Sequence, residues 1–397
     1  MEYLSDRIKS LSVSQTLAMA QKSREMKASG IDVINLSIGE PDFHTPDDIK
    51  EAAKKAIDDN YTSYPPVPGY ADLREAISVK FREENGLDYS PDQIIVSGGG
   101  KHSLINVILS IVNPGDEVII LAPYWVSYYD QIILAEGKPV VISTSIDNDF
   151  KVTPAQLEEA ITDKTRLLIF NSPSNPTGMV YTGEQMKAIA EVIKRHEGVF
   201  IISDEIYEHI IFTGKHESMA QFDFIYDRTI TLNGVSKGYA MTGWRIGYIG
   251  APLWIAKAVN KLQGQFTSGV SSISQRAALA AVQSKTNSKE VMRDAFKKRR
   301  DLVYKLVSEI EGFRVRLPQG AFYLFPEVNW YFGKSDGDRK VTDSASLAMY
   351  LLEKAHVAVV GGEGFGAPDC LRLSYATSEE ELIEAVRRIK EALALLR

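Results

Sequence analysis

The sequence VFIISDEIYEH occupies residues 199–209 and is the stretch that decides the fold. Its apolar run, Val199–Ile202, is too short for a helix and predicts a buried strand. The strand ends beside Asp204, and Tyr207 follows three residues later. Ligands of open α/β sheets bind at the carboxyl ends of strands, so this acid and this phenol are candidate site residues. Each has an ordinary alternative: Asp204 as a cap or surface turn, and Tyr207 as a packed aromatic.

Six other short apolar runs resemble this one, and most are bounded by Gly, Pro, Asp or Ser. Helix-like patterns separate them. Alternating strands and helices predict an α/β fold, in which seven strands form one large, mostly parallel sheet covered by helices. The six other predicted strands are Gln93–Val96, Glu117–Leu121, Pro139–Ile142, Arg166–Phe170, Thr229–Leu232 and Ile246–Ile249.

A chain of 397 residues is too long for one simple core and suggests two domains. After residue 284 the pattern changes to a long charged helix, shorter elements and a final amphipathic helix. We therefore predict a large domain, 46–284, and a smaller α+β domain built from both termini, 1–45 and 285–397. A helix at about 14–29 is expected to pack on the small domain, with the active site in the cleft between the domains.

Some single elements carry clearer signals than others. A helix is predicted at 46–59, with Thr45 as its N-cap and Pro46 at its first position. In the C-terminal part, short strands are predicted at Arg314–Leu317, Ala321–Phe325, Val357–Val360 and Leu371–Ser374.

Composition and charge argue against several classes of binding partner. The net charge is −7 and the pI about 5.6, which argues against a broad nucleic-acid surface. No run approaches the ~18–20 apolar residues of a membrane span, and the first residues lack a signal-peptide core, so we expect a cytoplasmic protein with no membrane partner. Cys370 has no disulfide partner and lies in a strand-like pattern, which favours buried packing. Six histidines without ligand spacing give no metal site.

A lone lysine follows another predicted strand. Lys237 lies in GVSKGYAMTGWRIGY, residues 234–248, directly before Gly238. Burial lowers the pKa of an ammonium group, and the free amine can form a Schiff base with a carbonyl. An exposed lysine without function is the ordinary alternative. The neighbouring acid, phenol, amide and guanidinium favour the chemical role, because together they suit an aldehyde cofactor with a ring nitrogen and a phosphate.

Such a cofactor gives three other residues a use. Asp204 would keep a pyridine nitrogen protonated, and the protonated ring stabilises a carbanion at the substrate's α-carbon. Tyr207 and Asn175, from NSPSNPTG (171–178), would bond the ring oxygen from opposite sides. Taken alone, Asn175 is better explained as a turn residue next to Pro176.

A glycine-rich turn, Ser97–Lys101, follows one strand and opens a helix. Glycines allow backbone N–H groups to approach a phosphate, and a helix N-terminus adds partial positive charge. Arg245 adds a two-pronged donor and Ser236 a hydroxyl. Neither a Walker spacing nor a GxGxxG with an acidic partner is present, so nucleotide binding is disfavoured. The candidate phosphate ligands are Gly99, Gly100, Lys101, Ser236 and Arg245.

Four further residues complete the candidate site. Trp125, directly after a predicted strand, could stack on a planar cofactor or lie in the core. Tyr64, in a proline-rich loop, could reach a neighbouring subunit or pack within its own loop. Arg372, on a strand between leucines, would bind either a substrate α-carboxylate or an internal carboxylate. Gly39 could offer a backbone N–H to the same substrate carboxylate.

At these residues the chain resembles the fold-type I, pyridoxal-phosphate-dependent class I aminotransferases, and most of all their bacterial and archaeal aspartate aminotransferase subgroup. The resemblance runs from LSIGEPDFHTP (Leu36–Pro46) to RLSYATS (Arg372–Ser378) and so covers nearly the whole chain. It implies an amino-acid donor, a 2-oxo acid acceptor, pyridoxal 5′-phosphate and a homodimer with shared active sites.

The resemblance also implies roles for single residues. Lys237 binds the cofactor covalently and, with Asp204 and Tyr207, is catalytic. Gly100, Lys101, Ser236 and Arg245 fall at phosphate positions, with Tyr64 from the second subunit. The substrate-binding positions are Gly39, Trp125, Asn175 and Arg372.

The chain departs from the family at the distal end of the substrate. Many members of the subgroup place a basic residue in the N-terminal segment to meet the distal carboxylate, and Ser12 stands there in this chain. Arg276 lies too far along a helix to take that role. This departure weakens the case for a dicarboxylate substrate. Aspartate remains the first expectation because of the overall likeness, with aromatic amino acids or prephenate as alternatives. The same scaffold also serves carbon–sulfur lyases and, with an added DNA-binding domain, non-catalytic sensors.

Overall fold

The structure is a computed structural model that describes residues 3–12 and 15–397. Its α-helices are α1 (Asp6–Lys9), α2 (Gln15–Ala28), α3 (Asp47–Asp58), α4 (Ala71–Lys80), α5 (Gly100–Ile111), α6 (Ser127–Leu134), α7 (Pro154–Ala160), α8 (Gly183–Lys194), α9 (Asp223–Tyr226), α10 (Leu253–Phe266), α11 (Ser272–Gln283), α12 (Ser288–Ser308), α13 (Ser344–Lys354) and α14 (Glu379–Leu393).

Its strands are β1 (Ile34–Asn35), β2 (Ile94–Ser97), β3 (Glu117–Ala122), β4 (Lys138–Ser143), β5 (Thr165–Asn171), β6 (Phe200–Asp204), β7 (Thr229–Gly234), β8 (Gly247–Gly250), β9 (Tyr323–Leu324), β10 (Ser335–Asp336), β11 (Arg339–Lys340), β12 (Val357–Ala358), β13 (Val360–Gly361) and β14 (Leu371–Ser374).

The large sheet contains the seven strands that the apolar runs predict, in the order β2-β8-β7-β6-β5-β3-β4. All neighbours are parallel except β8, which runs antiparallel to β2 and β7. The prediction of a seven-stranded, mostly parallel sheet is therefore confirmed. Its central strand β6 is buried along its whole length, which explains a continuous rather than alternating apolar sequence.

Helices cover both faces of this sheet because successive residues of a strand point to opposite sides. In β6, Phe200 and Ile202 pack in one cluster with α5, α6 and α10, whereas Ile201 packs in another with α8. Near the β2 edge, α3, α4 and α11 form a third cluster. These layers leave the carboxyl ends of the parallel strands as one edge where side chains meet.

Both ends of the chain contribute to one further core. Residues of α2 and of β1 pack with α12, α13 and α14, and β1 pairs in parallel with β12. A three-stranded antiparallel sheet, in the order β13-β14-β9, lies in the same unit. The predicted domain bounds, 46–284 against 1–45 with 285–397, stay a prediction, and residue 14 of the predicted first helix lies outside the described residues.

Two local predictions are wrong. Thr45 does not cap α3: its Oγ1 donates instead to the Ala240 carbonyl at 2.7 Å, and Pro46 occupies the cap position without a side-chain bond. Arg314–Leu317 forms no strand, because only Arg314 makes a bridge, to Glu327. Within the described ranges, no helix has the length and apolar character needed to cross a membrane.

Candidate active site

A cavity of about 430 Å³ opens at the carboxyl ends of the parallel strands. Asn171, at the end of β5, Asp204, at the end of β6, and Ser236, after β7, form part of its wall. Topology alone brings these three together, because parallel strands end at the same edge. The predicted site residues that line the cavity are Gly39, Gly100, Lys101, Trp125, Asn175, Asp204, Tyr207, Ser236, Lys237, Arg245 and Arg372.

Asp204 is a buried carboxyl group at the floor of the cavity. Tyr128 donates its hydroxyl to Oδ2 at 2.6 Å, and the Ile206 N–H donates to Oδ1 at 3.2 Å. Burial raises the pKa of Asp204 to about 6, although both hydrogen bonds act to lower it. A carboxylate in such a place is stabilised further by any cation that enters the cavity, such as a protonated ring nitrogen.

Lys237 extends into the same cavity from the turn after β7. Its Nζ donates a short hydrogen bond to the Gly39 carbonyl and lies 5.9 Å from the ring centroid of Tyr207. Burial lowers the pKa of Lys237 to about 8. Roughly a tenth of the amine is therefore neutral at pH 7, far more than for an ordinary lysine, and the neutral form is the one that can attack a carbonyl.

Tyr207 and Asn175 lie at the side of the cavity. The Tyr207 and Tyr323 hydroxyls share a hydrogen bond of 2.7 Å. Asn175 accepts from Arg372 Nη1 through Oδ1 at 3.1 Å, and its backbone N–H donates to Asn171 Oδ1 at 2.8 Å. Tyr207 and Asp204 both form part of the cavity wall.

The glycine-rich turn and Arg245 form the opposite end of the cavity. Gly99 has a φ of +93°, and a Cβ there would lie 2.4 Å from Arg245 Nη2, so this position needs glycine. Arg245 Nη1 donates to the Thr242 carbonyl at 2.8 Å. With the N-terminus of α5 at Gly100, these groups concentrate donors and positive charge, as an anion site requires.

Lys101 and Trp125 lie close together at the rim of that end. Lys101 Nζ is 5.0 Å from the centroid of the Trp125 ring. Burial, assisted by Arg245, lowers the pKa of Lys101. Trp125 is half-buried and lines the cavity, so its indole is available for stacking.

Arg372 is 2% exposed and has no carboxylate partner within the described part of the chain. Its Nη2 donates to the Ser37 carbonyl at 2.7 Å, and its Nε is buried without a hydrogen bond. The guanidinium lies between the rings of Tyr323, at 4.7 Å, and Phe365, at 4.9 Å. A buried cation normally needs an anion, so this arrangement suits an incoming carboxylate.

Two predicted ligands lie outside the cavity wall. Gly99 lies behind Arg245. Tyr64 is 96% exposed on the outer surface of its loop. The two residues considered for the distal carboxylate also lie elsewhere. Ser12 donates to Asp130 at 2.8 Å, and Arg276 holds Asp72 through two bonds of 2.6 Å.

Among the wall residues that sequence reasoning missed, four have titratable side chains: Tyr128, Tyr323, Glu40 and Arg24. Tyr128 stands three residues after Trp125, a helical spacing that would place the two side by side, and their rings are in edge contact at 5.5 Å. Glu40 accepts from Thr242 Oγ1 at 2.9 Å. The others carry no local signal.

Comparison with known proteins identifies the family. Residues 31–389 match the family described as aminotransferase class I and II. The chain is 48% identical over 400 residues to an aspartate/prephenate aminotransferase of Cereibacter sphaeroides, with 98% of each chain covered. It is 48% identical over 388 residues to an aspartate aminotransferase of Geobacillus stearothermophilus, covering 97% of this chain and 98% of that one.

A solved structure gives the same result for the fold. The crystal structure of the aspartate aminotransferase from Rhizobium meliloti superposes with a TM-score of 0.96 at 43% identity, over 99% of both chains. Sequence, fold and the residues gathered at the strand ends agree. The chain belongs to the aminotransferase class I and II family and is an aminotransferase.

Proposed function

We propose that this aminotransferase uses pyridoxal 5′-phosphate and takes L-aspartate as its first amino donor, with a 2-oxo acid such as 2-oxoglutarate as acceptor, in a two-step ping-pong reaction. One observation carries the proposal: a buried amine of lowered pKa, Lys237, lies in one cavity with a buried carboxyl, Asp204, and an anion site at Gly100 and Arg245.

The donor set fits the cofactor group by group. Gly100, Ser236 and Arg245 would hold the phosphate, Asp204 the ring nitrogen, and Tyr207 with Asn175 the ring oxygen. When bound, pyridoxal phosphate supplies the electron sink that stabilises negative charge at the substrate's α-carbon. The unpaired Nε of Arg372 adds a buried donor that awaits an acceptor.

The chain's own residues supply binding and proton transfer. Arg372 holds the substrate α-carboxylate, and Asn175, already bonded to Arg372, fixes the angle of that guanidinium. Lys237 Nζ removes the proton from the substrate's α-carbon and later donates it again. Because its pKa of about 8 is near the working pH, the amine can serve as base and, once protonated, as acid.

The choice of substrate rests on the relatives. Several of them are named for aspartate, and some for prephenate as well. Ser12 brings no positive charge to the distal carboxylate, since its hydroxyl is bonded to Asp130. Because of the names of these relatives, aspartate is the first candidate. Aromatic amino acids and prephenate are the alternatives within the same chemistry.

The proposal includes a homodimer in which Tyr64 reaches the phosphate of the partner subunit. A tyrosine 96% exposed in a single chain suits a contact that a second chain completes. The expected cytoplasmic location belongs to the same proposal and can be tested by fractionation.

Reconstitution and a substrate panel test this proposal. Purified protein incubated with pyridoxal phosphate should gain the absorbance of a lysine-bound cofactor, at roughly 360–430 nm. Steady-state rates are then compared for aspartate, glutamate, phenylalanine, tyrosine and prephenate, with and without 2-oxoglutarate. Aspartate should give the highest kcat/KM and need the acceptor.

Other outcomes would redirect the assignment. Pyruvate release from cysteine or cystathionine without any acceptor would indicate a carbon–sulfur lyase. Cofactor binding without turnover of any substrate would indicate a sensor. A preparation that stays colourless with added cofactor would remove the proposal altogether.

A further inference from the structure

We propose that Gln263 is a positioning residue that links the phosphate turn, Ser97–Gly100, to the loop that presents Tyr64. We call residues 61–69 the interface loop. This inference rests on the proposed function, since it concerns how the cofactor's phosphate is held. Gln263 lies on α10, is fully buried and does not line the cavity.

Four hydrogen bonds use the whole capacity of the Gln263 amide. Its Nε2 donates to the Val96 carbonyl at 2.9 Å and to the Val67 carbonyl at 2.8 Å. Its Oε1 accepts from Ser97 Oγ at 2.6 Å and from Asn106 Nδ2 at 3.1 Å. An amide offers two N–H donors and two lone pairs, so every site is occupied.

Three of these bonds fix the two elements that make the anion site. Val96 and Ser97 are the last residues of β2, and the turn begins at Ser97. Asn106 lies on α5, whose N-terminus closes the turn. The turn can direct its N–H groups at a phosphate only if the strand end and the helix keep their relative position. Gln263 sets that position from outside the cavity.

The fourth bond reaches the interface loop. Val67 lies three residues after Tyr64, and the neighbouring Pro68 carbonyl accepts from the Val96 N–H at 3.0 Å. One amide therefore joins a subunit's own phosphate turn to the loop proposed to serve the partner's phosphate. Through this pair of contacts, the two sites of a dimer would share a mechanical link.

The chain offers a matched control in Gln275. It is fully buried on the adjacent helix α11, and its Oε1 accepts from the Tyr70 N–H at 2.9 Å. Its Nε2 donates to the Val270 carbonyl at 2.9 Å. Gln275 thus binds the residue that directly follows the interface loop, and its hydrogen bonds do not involve the phosphate turn.

The test compares the affinity of the apo-protein for pyridoxal phosphate and for pyridoxal, which lacks the phosphate. Dissociation constants are measured by absorbance for wild type, Gln263→Met and Gln275→Met. Wild type should prefer the phosphorylated form. Gln263→Met should lose about tenfold or more of that preference, about the effect of one good hydrogen bond in a buried site. Gln275→Met should keep it.

An unchanged preference in Gln263→Met, or an equal loss in Gln275→Met, would overturn the inference. If Gln263→Met does not fold, Gln263→Glu decides the matter. Burial keeps the carboxyl group of this variant protonated, so it still accepts from Ser97 and Asn106 but can donate to only one of the Val67 and Val96 carbonyls. It should also lose the preference. A wild type that binds pyridoxal and its phosphate equally, or neither, would remove the proposed function and this inference together.

A separate measurement tests the proposed link between Gln263 and the interface loop. Tyr64→Phe should weaken pyridoxal phosphate binding in wild type, and this weakening should shrink in the Gln263→Met background, because the loop is then already displaced. Equal weakening in both backgrounds would restrict the role of Gln263 to the phosphate turn and refute the link between the sites.

Discussion

The segment of residues 203–209 has the cavity on one side and a second group of buried charged residues on the other. The two sides differ in whether a buried charge has an oppositely charged partner within the chain. On the side away from the cavity, Glu208 binds the Lys80 ammonium, and Asn85 Nδ2 donates to its second oxygen at 2.8 Å. Glu205 accepts from the Ser218 hydroxyl at 2.5 Å and bonds His216 Nε2 at 2.8 Å. We call this set the rear cluster.

The pKa values of two acids four residues apart show the difference. Burial acts against the ionisation of both. At Glu208, the positive charge of Lys80 is the main opposing effect, and it holds the pKa well below its usual range. At Asp204, burial prevails and raises the pKa to about 6. Burial alone therefore does not indicate that a charged residue is functional. A buried charge without an oppositely charged partner in its own chain does indicate it.

The largest expected effect is on turnover. Lys237→Ala removes the amine that is proposed to reach both the cofactor and the substrate's α-carbon. The rate should fall by at least about 10⁴-fold, the upper range for a positioned proton-transfer group. The absorbance of the lysine-bound cofactor should vanish too. Lys257→Ala, an exposed lysine on α10, serves as the control. Comparable turnover in the two variants would contradict the assignment of Lys237.

The rear cluster should respond in stability instead. Lys80→Met leaves Glu208 buried without its cation, which costs about 3–5 kcal/mol of unfolding free energy. The double variant Lys80→Met/Glu208→Leu should recover part of that loss, because no unpaired charge remains. Denaturant unfolding of the apo-protein measures both. A single variant as stable as wild type would mean that the pair is not balanced as the structure indicates.

Arg372 allows the opposite experiment. Arg372→Leu should lower kcat/KM by about 10²–10³-fold, roughly 3–4 kcal/mol, through the loss of a charge-assisted contact to the α-carboxylate. The apo-protein should not lose stability, since the variant removes a buried cation without a counter-charge. Arg276→Leu, which breaks the ion pair with Asp72, is the matched arginine control. It should change kcat/KM little. The reverse pattern would assign Arg372 a purely structural role.

The seven strands and eleven residues of the cavity wall could be predicted because both depend on local sequence. Continuous apolar runs define buried parallel strands, and residues that follow such runs meet at one edge. The two local errors have tertiary causes: the Thr45 hydroxyl found a carbonyl 195 residues away, and Arg314–Leu317 had no neighbouring strand to pair with.

The sequence could not predict which buried charges are compensated, because the partners are distant in sequence. Tyr128 meets Asp204 across 76 residues of sequence, and Tyr323 meets Tyr207 across 116. For Arg372, the sequence left a substrate carboxylate and an internal salt bridge as equal alternatives. The structure removes the second among the described residues. No pattern near Glu205 or Glu208 distinguishes them from Asp204, which lies on the same short segment.

The smallest expected effect concerns pH. In the apo-protein, the folded-state pKa of Asp204, about 6, lies above its ordinary value of 3.8. The folded state therefore binds more protons between these values, and wild type loses stability relative to Asp204→Asn as pH rises from about 4 to 6. The loss should reach roughly 2–3 kcal/mol and then stay constant. Lys237 is present in both proteins, so its own titration cancels in the difference.

Apo-protein unfolding measured from pH 4 to 8 for both proteins checks this expectation. If the difference in unfolding free energy between the two proteins does not change with pH, Asp204 has its charge compensated as well as Glu208 does. The contrast between the cavity and the rear cluster would then be wrong. At pH 7, added pyridoxal phosphate should reverse the order of stability of wild type and Asp204→Asn. A protonated ring nitrogen gives the Asp204 carboxylate its missing cation, while the asparagine gains no such charge. Ligand-induced stabilisation should therefore be greater in wild type, because a ligand that binds only the folded state stabilises it by an amount that grows with the logarithm of its affinity.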